Sequence, residues 1–571
     1  MKTDSRHRRF FAGLLACLAA MSLTACHGVQ NASDATPGTV ESSEQETTSE
    51  WFSNRDMKGD YDEDSCVKVA LEGETAKCHG ETVKISGGTV SITREGSYLL
   101  TGVLEKGMLV IEADEEAKVQ LILDGARISN DDGAAIYVKS ADKVFLTLAA
   151  GSENVLSDSG GYSAHDDDKV DGAVFAGCDL TVNGTGSLEV MAAEGHGIVS
   201  KDDLRITGGS LTVTAAGHGL SGKDSVRLAE GRLAVVSGKD GIHAEHEDEQ
   251  KGYVYIANGS VAVVSQGDGI SASGFLQIDN GSFAITAGGG SGQTADEGEE
   301  TSSAKGIKAA RTLVVNDGAF AIDARDDALH ADGDLILRGG GFRLASKGKG
   351  IHGDRTVAIE GGTIEVSASH EGVEGYKVAV SGGCLRLCAA DDGINAAGGR
   401  DGSGSDDFAD EEGTGGEEPS IQISGGEISI DAAGDGIDSN GSLIVSGGKV
   451  YVSGPVDDLN GALDYDGEAR ITGGTLVAAG SSGMAMNFGD ASTQGTILIY
   501  IPPQNPGTEI VLKDSQGREL AAYTAPKAFS SVVVSCPELE QGGVYTMLAG
   551  DSETEVVLEE LRYGKSYNET E

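Results

Sequence analysis

The sequence predicts an all-β protein, a right-handed parallel β-helix of about 22 residues per coil with a C-terminal β cap. Three observations lead there. Second glycines of a paired turn recur at a fixed step of 22, from Gly209 to Gly231, Gly259 to Gly281, Gly318 to Gly340 to Gly362, and Gly426 to Gly448. A repeat of that length marks a solenoid, propeller or array. Between the turns, short runs such as Thr356-Val357-Ala358-Ile359 and Thr363-Ile364-Glu365-Val366 alternate polar and apolar residues, as half-buried strands do. Glycine is frequent (86 of 571) and proline scarce (8), which suits tight turns and excludes collagen. A leucine-rich horseshoe needs a leucine frame that is absent, and a propeller needs about 40 residues per blade.

In chain order, residues 1–26 read as a lipoprotein signal peptide. Arg6, Arg8 and Arg9 precede an apolar stretch, Phe10 to Ala20, too short to span a bilayer. It closes on Leu23-Thr24-Ala25-Cys26, which resembles a bacterial lipobox and makes Cys26 the expected acylation site. Residues 27–64 are Ser/Thr/Glu-rich, with Trp51 and Phe52 as exceptions, and read as a solvated tether. Residues 65–495 are the expected β-helix, irregular to about 185 and regular from about Gly186 to Gly474. The expected inward residues include Ile206, Leu228, Ile256, Ile278, Leu337, Ile359, Ile364 and Val445. Three acidic or Gly/Ser-rich loops (245–251, 288–303, 397–419) lengthen turns rather than strands. Residues 496–571 change style at Ile497-Leu-Ile-Tyr-Ile and are expected to cover the open end of the ladder. Cys66 and Cys78 are close enough in sequence for a small disulfide loop. Cys384 and Cys388, roughly 13 Å apart on one strand, cannot join each other. No Cys/His spacing suggests zinc.

A net charge of −49 repels nucleic acid and anionic membrane and attracts cations. The charges are organised. After the second strand of each coil comes an element with two polar slots around a small and an aliphatic residue: Asp240-Gly-Ile-His243, Lys305-Gly-Ile-Lys308, Asp327-Ala-Leu-His330, Lys349-Gly-Ile-His352, Glu371-Gly-Val-Glu374, Asp392-Gly-Ile-Asn395, Asp435-Gly-Ile-Asp438. In the next coil Gly461-Ala-Leu-Asp464 follows Asp457, Asp458 and Asn460. Stacked coils place equivalent carboxylates about 4.8 Å apart. They repel by roughly 1 kcal/mol in water and about 3–4 kcal/mol at a surface-like dielectric. A cation offsets this, and calcium takes 6–8 oxygens from carboxylates, amides and carbonyls. The expected Ca2+ ligands are therefore Asp392, Asn395, Asp435, Asp438, Asp457, Asp458, Asn460 and Asp464, then Glu371 and Glu374. The competing reading is that aspartates at Asp-Gly turns serve only backbone hydrogen bonds. Lys305 and Lys349 read as neutralising neighbours.

The segments Asp435 to Gly441, Gly461 to Gly467 and Ile471 to Ala485 resemble the bacterial carbohydrate-binding domain-containing β-helix family, which is similar in architecture to pectate lyases. The resemblance is specific from about residue 315 to 485. It implies calcium and binding of glycans of the cellulose or polygalacturonate kind, and assigns no sugar-contacting residue. The expected protein is a monomeric lipoprotein on the extracellular face of the bacterial membrane, binding an acidic or plant cell-wall polysaccharide. A calcium-dependent polysaccharide lyase, with Arg325, Lys347 or Lys349 as candidate base, and a structural adhesin are the alternatives. Five per cent aromatics with one Trp argue against a flat platform for crystalline cellulose.

Overall fold

The structure is a computed structural model that describes residues 51–78, 82–162, 169–292, 303–397 and 418–569. The expected signal peptide, Cys26 and the first part of the tether lie outside the described residues. The fold is nearly all-β, a parallel β-solenoid of about fourteen turns with almost no helix. No helix among the described residues is long and apolar enough to cross a membrane.

The chain divides into two compact units. Of the described residues, the first holds those within 51–264, 272–274 and 278–284. It opens on two antiparallel hairpins, Val67–Gly73 with Thr75–Cys78 and Val83–Ser86 with Thr89–Ile92. Val67–Gly73 then pairs in parallel with Gly96–Leu104, and that strand with Lys118–Asn130. Beyond residue 186 the steps become regular: Leu204 faces Val226, one coil later. Val226 faces Val254, a longer step that accommodates 245–251 in a turn without disturbing the register on either side.

The start of this unit shortens the expected tether. Residues 51–58 pack on the solenoid. Ser53 and Asp56 form a capping box on the helix Asn54–Met57. Asp56 is buried, with Lys143 Nζ and Thr181 Oγ1 each 2.6 Å from its Oδ1. Trp51 stacks on Tyr255 at 4.3 Å between centroids. Composition suggested a solvated segment, but its few non-polar and charge-paired side chains find specific partners.

Cys66 and Cys78 are free thiols, so the small disulfide loop does not form. Cys78 faces Val69 across the first hairpin, whereas Cys66 packs with Leu99, Ile122 and Ala149.

Of the described residues, the second unit holds those within 265–271, 275–277 and 285–569. One inward row runs in unbroken register through Phe320, Phe342, Ile364, Leu385, Ile428, Val450 and Leu476. All are fully buried, and each contributes about 1.5–3 kcal/mol of burial. The eight side chains expected to point inward are buried in both units. The double glycines have a steric cause. Gly362 sits at φ +95°, and a Cβ there would lie 2.7 Å from the Gly340 carbonyl oxygen of the coil before.

The ladder ends at Thr475–Gly480, which pairs antiparallel with Phe529–Ser535. A separate four-stranded antiparallel sheet is built from Glu509–Asp514, Glu519–Thr524, Val544–Ala549 and Ser552–Val557. Together they cover an edge that would otherwise offer free strand groups.

Candidate metal and ligand site

Everything in this site follows from the element Asp-Gly-Ile-x. Ile394, Ile437 and Leu463 face one another in parallel register and are fully buried. Alternation along a strand then turns the following residue the other way, so Asn395, Asp438 and Asp464 form a column. Glu374 precedes them in the same register. The glycine is needed for packing rather than for a turn. At Gly393 a Cβ would lie 2.2 Å from Ile430 Cγ2 and 2.5 Å from the Gly436 oxygen.

The residue before the glycine forms the other column, and its aspartates make the backbone hydrogen bonds of the competing reading. Asp392 Oδ1 accepts the Asp435 backbone N–H at 2.7 Å, and Asp435 Oδ1 accepts the Gly461 N–H at 2.5 Å. One oxygen of each carboxylate thus ties successive coils together. The other remains for the site. Asp392, Asp435 and Asp438 each offer an oxygen within 4.8 Å of the others.

Electrostatically this is an unfavourable place for bare carboxylates. Burial pushes the Asp392 carboxyl up to about 6, even though the Asp435 N–H favours its charged form. Burial, then repulsion from Asp392 and Asp464, pushes Asp435 and Asp438 up to about 7. Glu371 is pushed up to about 8 by burial and by Glu374. The Glu371 Oε2 and Asn395 Oδ1 atoms are buried without a hydrogen-bond partner. Asn395 reaches Asp392 Oδ2 and Glu371 Oε1 only through long contacts of 3.4 and 3.5 Å. Glu374 Oε2 lacks an aligned hydrogen bond but lies 3.2 Å from Lys349 Nζ, so it has a charge partner. A cluster of oxygen donors with like charges and two unpartnered buried oxygens matches the chemistry of a hard divalent cation.

The expected ligands divide accordingly. Asp392, Asp435 and Asp438 are brought together, with Asn395 and Asp464 facing Asp438 in register on either side and Glu371 and Glu374 in the coil before Asp392. Asp457 and Asp458 are not brought into the group. Both are exposed in the turn before Gly461, where Asp457 Oδ1 accepts the Leu459 N–H. Asn460 is engaged there through its backbone oxygen with Ser481. Lys305 and Lys349 neutralise acids as expected, Lys305 Nζ lying 2.8 Å from Asp326 and Lys349 Nζ beside Glu374. The pattern of the columns did not single out three further groups: His218 with Asp240 and His243, Asp327 with His330 and His352, and His370 with Glu371 and Asp391. A histidine recurring at a column position was the available signal.

Fold and site together define a glycine-turned parallel β-solenoid whose turn columns carry oxygen and nitrogen donors. The chain belongs to the family described as "Carbohydrate-binding domain-containing protein", whose profile matches residues 86–350 and 344–454. It is similar to a protein of that description from Acetivibrio thermocellus, 40% identical over 124 residues, which are 21% of this chain and 43% of the relative. The match thus spans less than half the relative's length. A solved structure, described as the polysaccharide lyase-like protein from C. thermocellum in a gadolinium derivative, is 28% identical, with a TM-score of 0.39. The alignment covers 48% of this chain and 96% of that one.

Proposed function

We propose that this protein is a cell-surface lipoprotein that binds an acidic or plant cell-wall polysaccharide through a calcium-containing turn face of its solenoid. The observation that carries the reading is the stack of Asp392, Asp435, Asp438 and Asp464, crowded carboxylates partly withdrawn from water beside the buried Asn395 amide. Membership of the carbohydrate-binding family supports the ligand class. Asp392, Asp435 and Asp438 would hold the ion, with Asp464, Asn395, Glu371 and Glu374 near it. Bound calcium would supply positive charge at a surface that otherwise repels polyanions.

The chain's own contribution is rigidity and position. Asp392 and Asp435 are each tied by one oxygen to the next coil, so their second oxygens are held rather than free to swing. The largest charged influences on Asp438 are other carboxylates, Asp392, Asp435, Asp464 and Asp466. Lys349, a candidate base of an elimination, is paired with Glu374 at 3.2 Å and does not figure among those influences. Binding without cleavage is therefore the preferred reading.

The test is retention on polygalacturonate with calcium and with chelator. Retention that needs calcium, falls with salt and leaves the polymer intact supports the proposal. Equal retention in chelator rejects calcium bridging. An unsaturated product absorbing in the near ultraviolet moves the reading to a lyase, and failure to bind any soluble glycan moves it to an adhesin. The anchor is tested separately. Cys26→Ala should abolish partition of the mature protein with membranes, and unchanged partition would remove the lipid from the proposal.

A further inference from the structure

Nearer the N-terminal end of the same columns, the oxygen donors give way to nitrogen. The element Asp327-Ala328-Leu329-His330 is followed one coil later by Lys349-Gly350-Ile351-His352, and His330 faces His352 in strand register. Asp327, His330 and His352 are all at most 1% exposed. Asp327 Oδ1 is engaged, accepting the Lys349 backbone N–H at 2.7 Å. Its Oδ2 lies 2.8 Å from His330 Nδ1 and 3.3 Å from His352 Nδ1, and the two Nδ1 atoms are 3.1 Å apart. Three donor atoms therefore close a triangle with every edge at or below 3.3 Å.

The far sides of both rings face carboxylates, in a hydrogen bond at His330 and only at ion-pair range at His352. His330 Nε2 faces Asp332 Oδ1 at 2.7 Å, and His352 Nε2 faces Asp354 Oδ1 at 3.4 Å and Glu374 Oε2 at 3.8 Å. A carboxylate accepts only, so it favours the N–H at Nε2 and, in a neutral ring, leaves the lone pair on Nδ1. Both Nδ1 lone pairs then converge on each other and on the ionised Asp327 oxygen. A positive centre resolves that convergence, either a proton on His330 Nδ1 shared with Asp327 Oδ2 or a metal ion held by all three atoms. A four-coordinate ion with ligands at about 2.0–2.1 Å separates its ligand atoms by roughly 3.3 Å, close to the edges seen here. Asp332, hydrogen-bonded behind His330, is the kind of outer partner that orients a metal-bound histidine.

We propose that Asp327, His330 and His352 form a binding site for a first-row divalent transition-metal ion of the zinc class, clamping two successive coils. Two imidazole nitrogens exclude calcium as the resident ion, because calcium takes oxygen ligands. Lys305 is the local argument against a second cation, with Nζ 3.9 Å from Asp327 Oδ2. Its ammonium is already paired with Asp326 at 2.8 Å, and Asp332 and Asp354 remain as further negative charge around the rings. Residue types alone do not make the site. In the first unit Asp240-Gly-Ile-His243 is joined by His218, yet His218 Nδ1 accepts the Asp240 backbone N–H at 3.2 Å. The lone pair that a metal would need is spent on the ladder, and the two rings stack at 4.0 Å.

The experiment uses the full chain stripped of metal, then loaded with Co2+ both by incubation and by refolding in its presence, since the donors are buried. The expected result is one Co2+ per chain with the intense visible bands of four-coordinate cobalt, displaced by Zn2+ and not by excess Ca2+. His330→Gln and His352→Gln should lose the bands, and His218→Gln should keep them. Wild-type protein that folds but shows no such bands overturns the proposal, as do bands that persist in both His330→Gln and His352→Gln. Should those variants fail to fold, X-ray absorption of cobalt-loaded wild type decides. Two imidazole ligands uphold the site, and an all-oxygen shell overturns it. Neither outcome depends on the polygalacturonate result, so this site and the calcium reading can fail separately.

Discussion

Asp392 and Asp435 are joined by a single hydrogen bond that does two jobs, the Asp435 backbone N–H donating to Asp392 Oδ1 at 2.7 Å. It fastens one coil to the next. It also fixes the Asp392 carboxyl beside a second acid, so the fastening itself builds a repulsive site that a cation would stabilise.

If calcium occupies that site, the double variant Asp435→Asn/Asp438→Asn should lose the calcium-dependent part of stability. Saturation at a hundredfold excess over Kd is worth about 2.7 kcal/mol to a folded state that alone binds the ion. The thermal midpoint of the wild type should rise with Ca2+, and that of the double variant should not. A midpoint of the wild type that is the same in calcium and chelator would show the columns to be hydrated turn acids.

The carboxyls of Asp435 and Asp438, raised to about 7 against an ordinary 3.8, give a pH dependence with a definite sign. The folded state holds protons that the unfolded chain would release. Their contribution favours folding below about pH 4 and is lost as pH rises through about 7. In chelator the thermal midpoint should therefore fall between about pH 5 and about pH 8, and calcium should flatten the fall. A midpoint that rises over this range in chelator contradicts the raised carboxyls.

Asp56 behaves in the opposite way. Burial alone would raise its carboxyl, but Lys143, Ser53 and Thr181 together hold it down to about 2. Its contribution is present above about pH 4 and is lost as pH falls toward 2. Asp56→Ala leaves Lys143 buried without its closest partner, at a cost of about 3–5 kcal/mol. Amide exchange of residues 51–58 should accelerate in the variant, and unchanged protection would mean that Trp51 and Phe52 suffice to hold the segment.

Gly393→Ala tests whether the glycine of the repeated element is there for packing. The added methyl would meet Ile430 and the Gly436 carbonyl at contact distances no side chain tolerates. Overpacking of this kind costs about 1–3 kcal/mol. Urea unfolding should show that loss, while Gly517→Ala in the cap, with no atom within 4 Å, is limited to the strain of its φ of +80°. Equal loss in the two variants would remove the packing argument.

How much was legible beforehand depends on what kind of spacing carried it. The 22-residue step of the double glycines and the alternation around Ile359, Ile364 and Val445 were enough to define the parallel coils and their inward rows, because period and alternation are local properties of a chain. The acidic columns were legible for the same reason: Asp392, Asp435 and Asp438 occupy one repeated element. The tertiary structure decided which members of a column meet. Asp457 and Asp458 lie next to that element in sequence yet stand exposed in a turn, whereas Asp438 and Asp464 are brought face to face. The nitrogen-rich group shows the limit most clearly. No short Cys/His spacing suggests zinc, because His330 and His352 are separated by a full coil and become neighbours only through strand register. Whether each donor then faces a ligand or a backbone N–H is set by hydrogen-bond geometry within the stacked coils. His218 and His352 show both cases: His218, before the glycine of its element, accepts a backbone N–H, and His352, at the end of its element, faces His330.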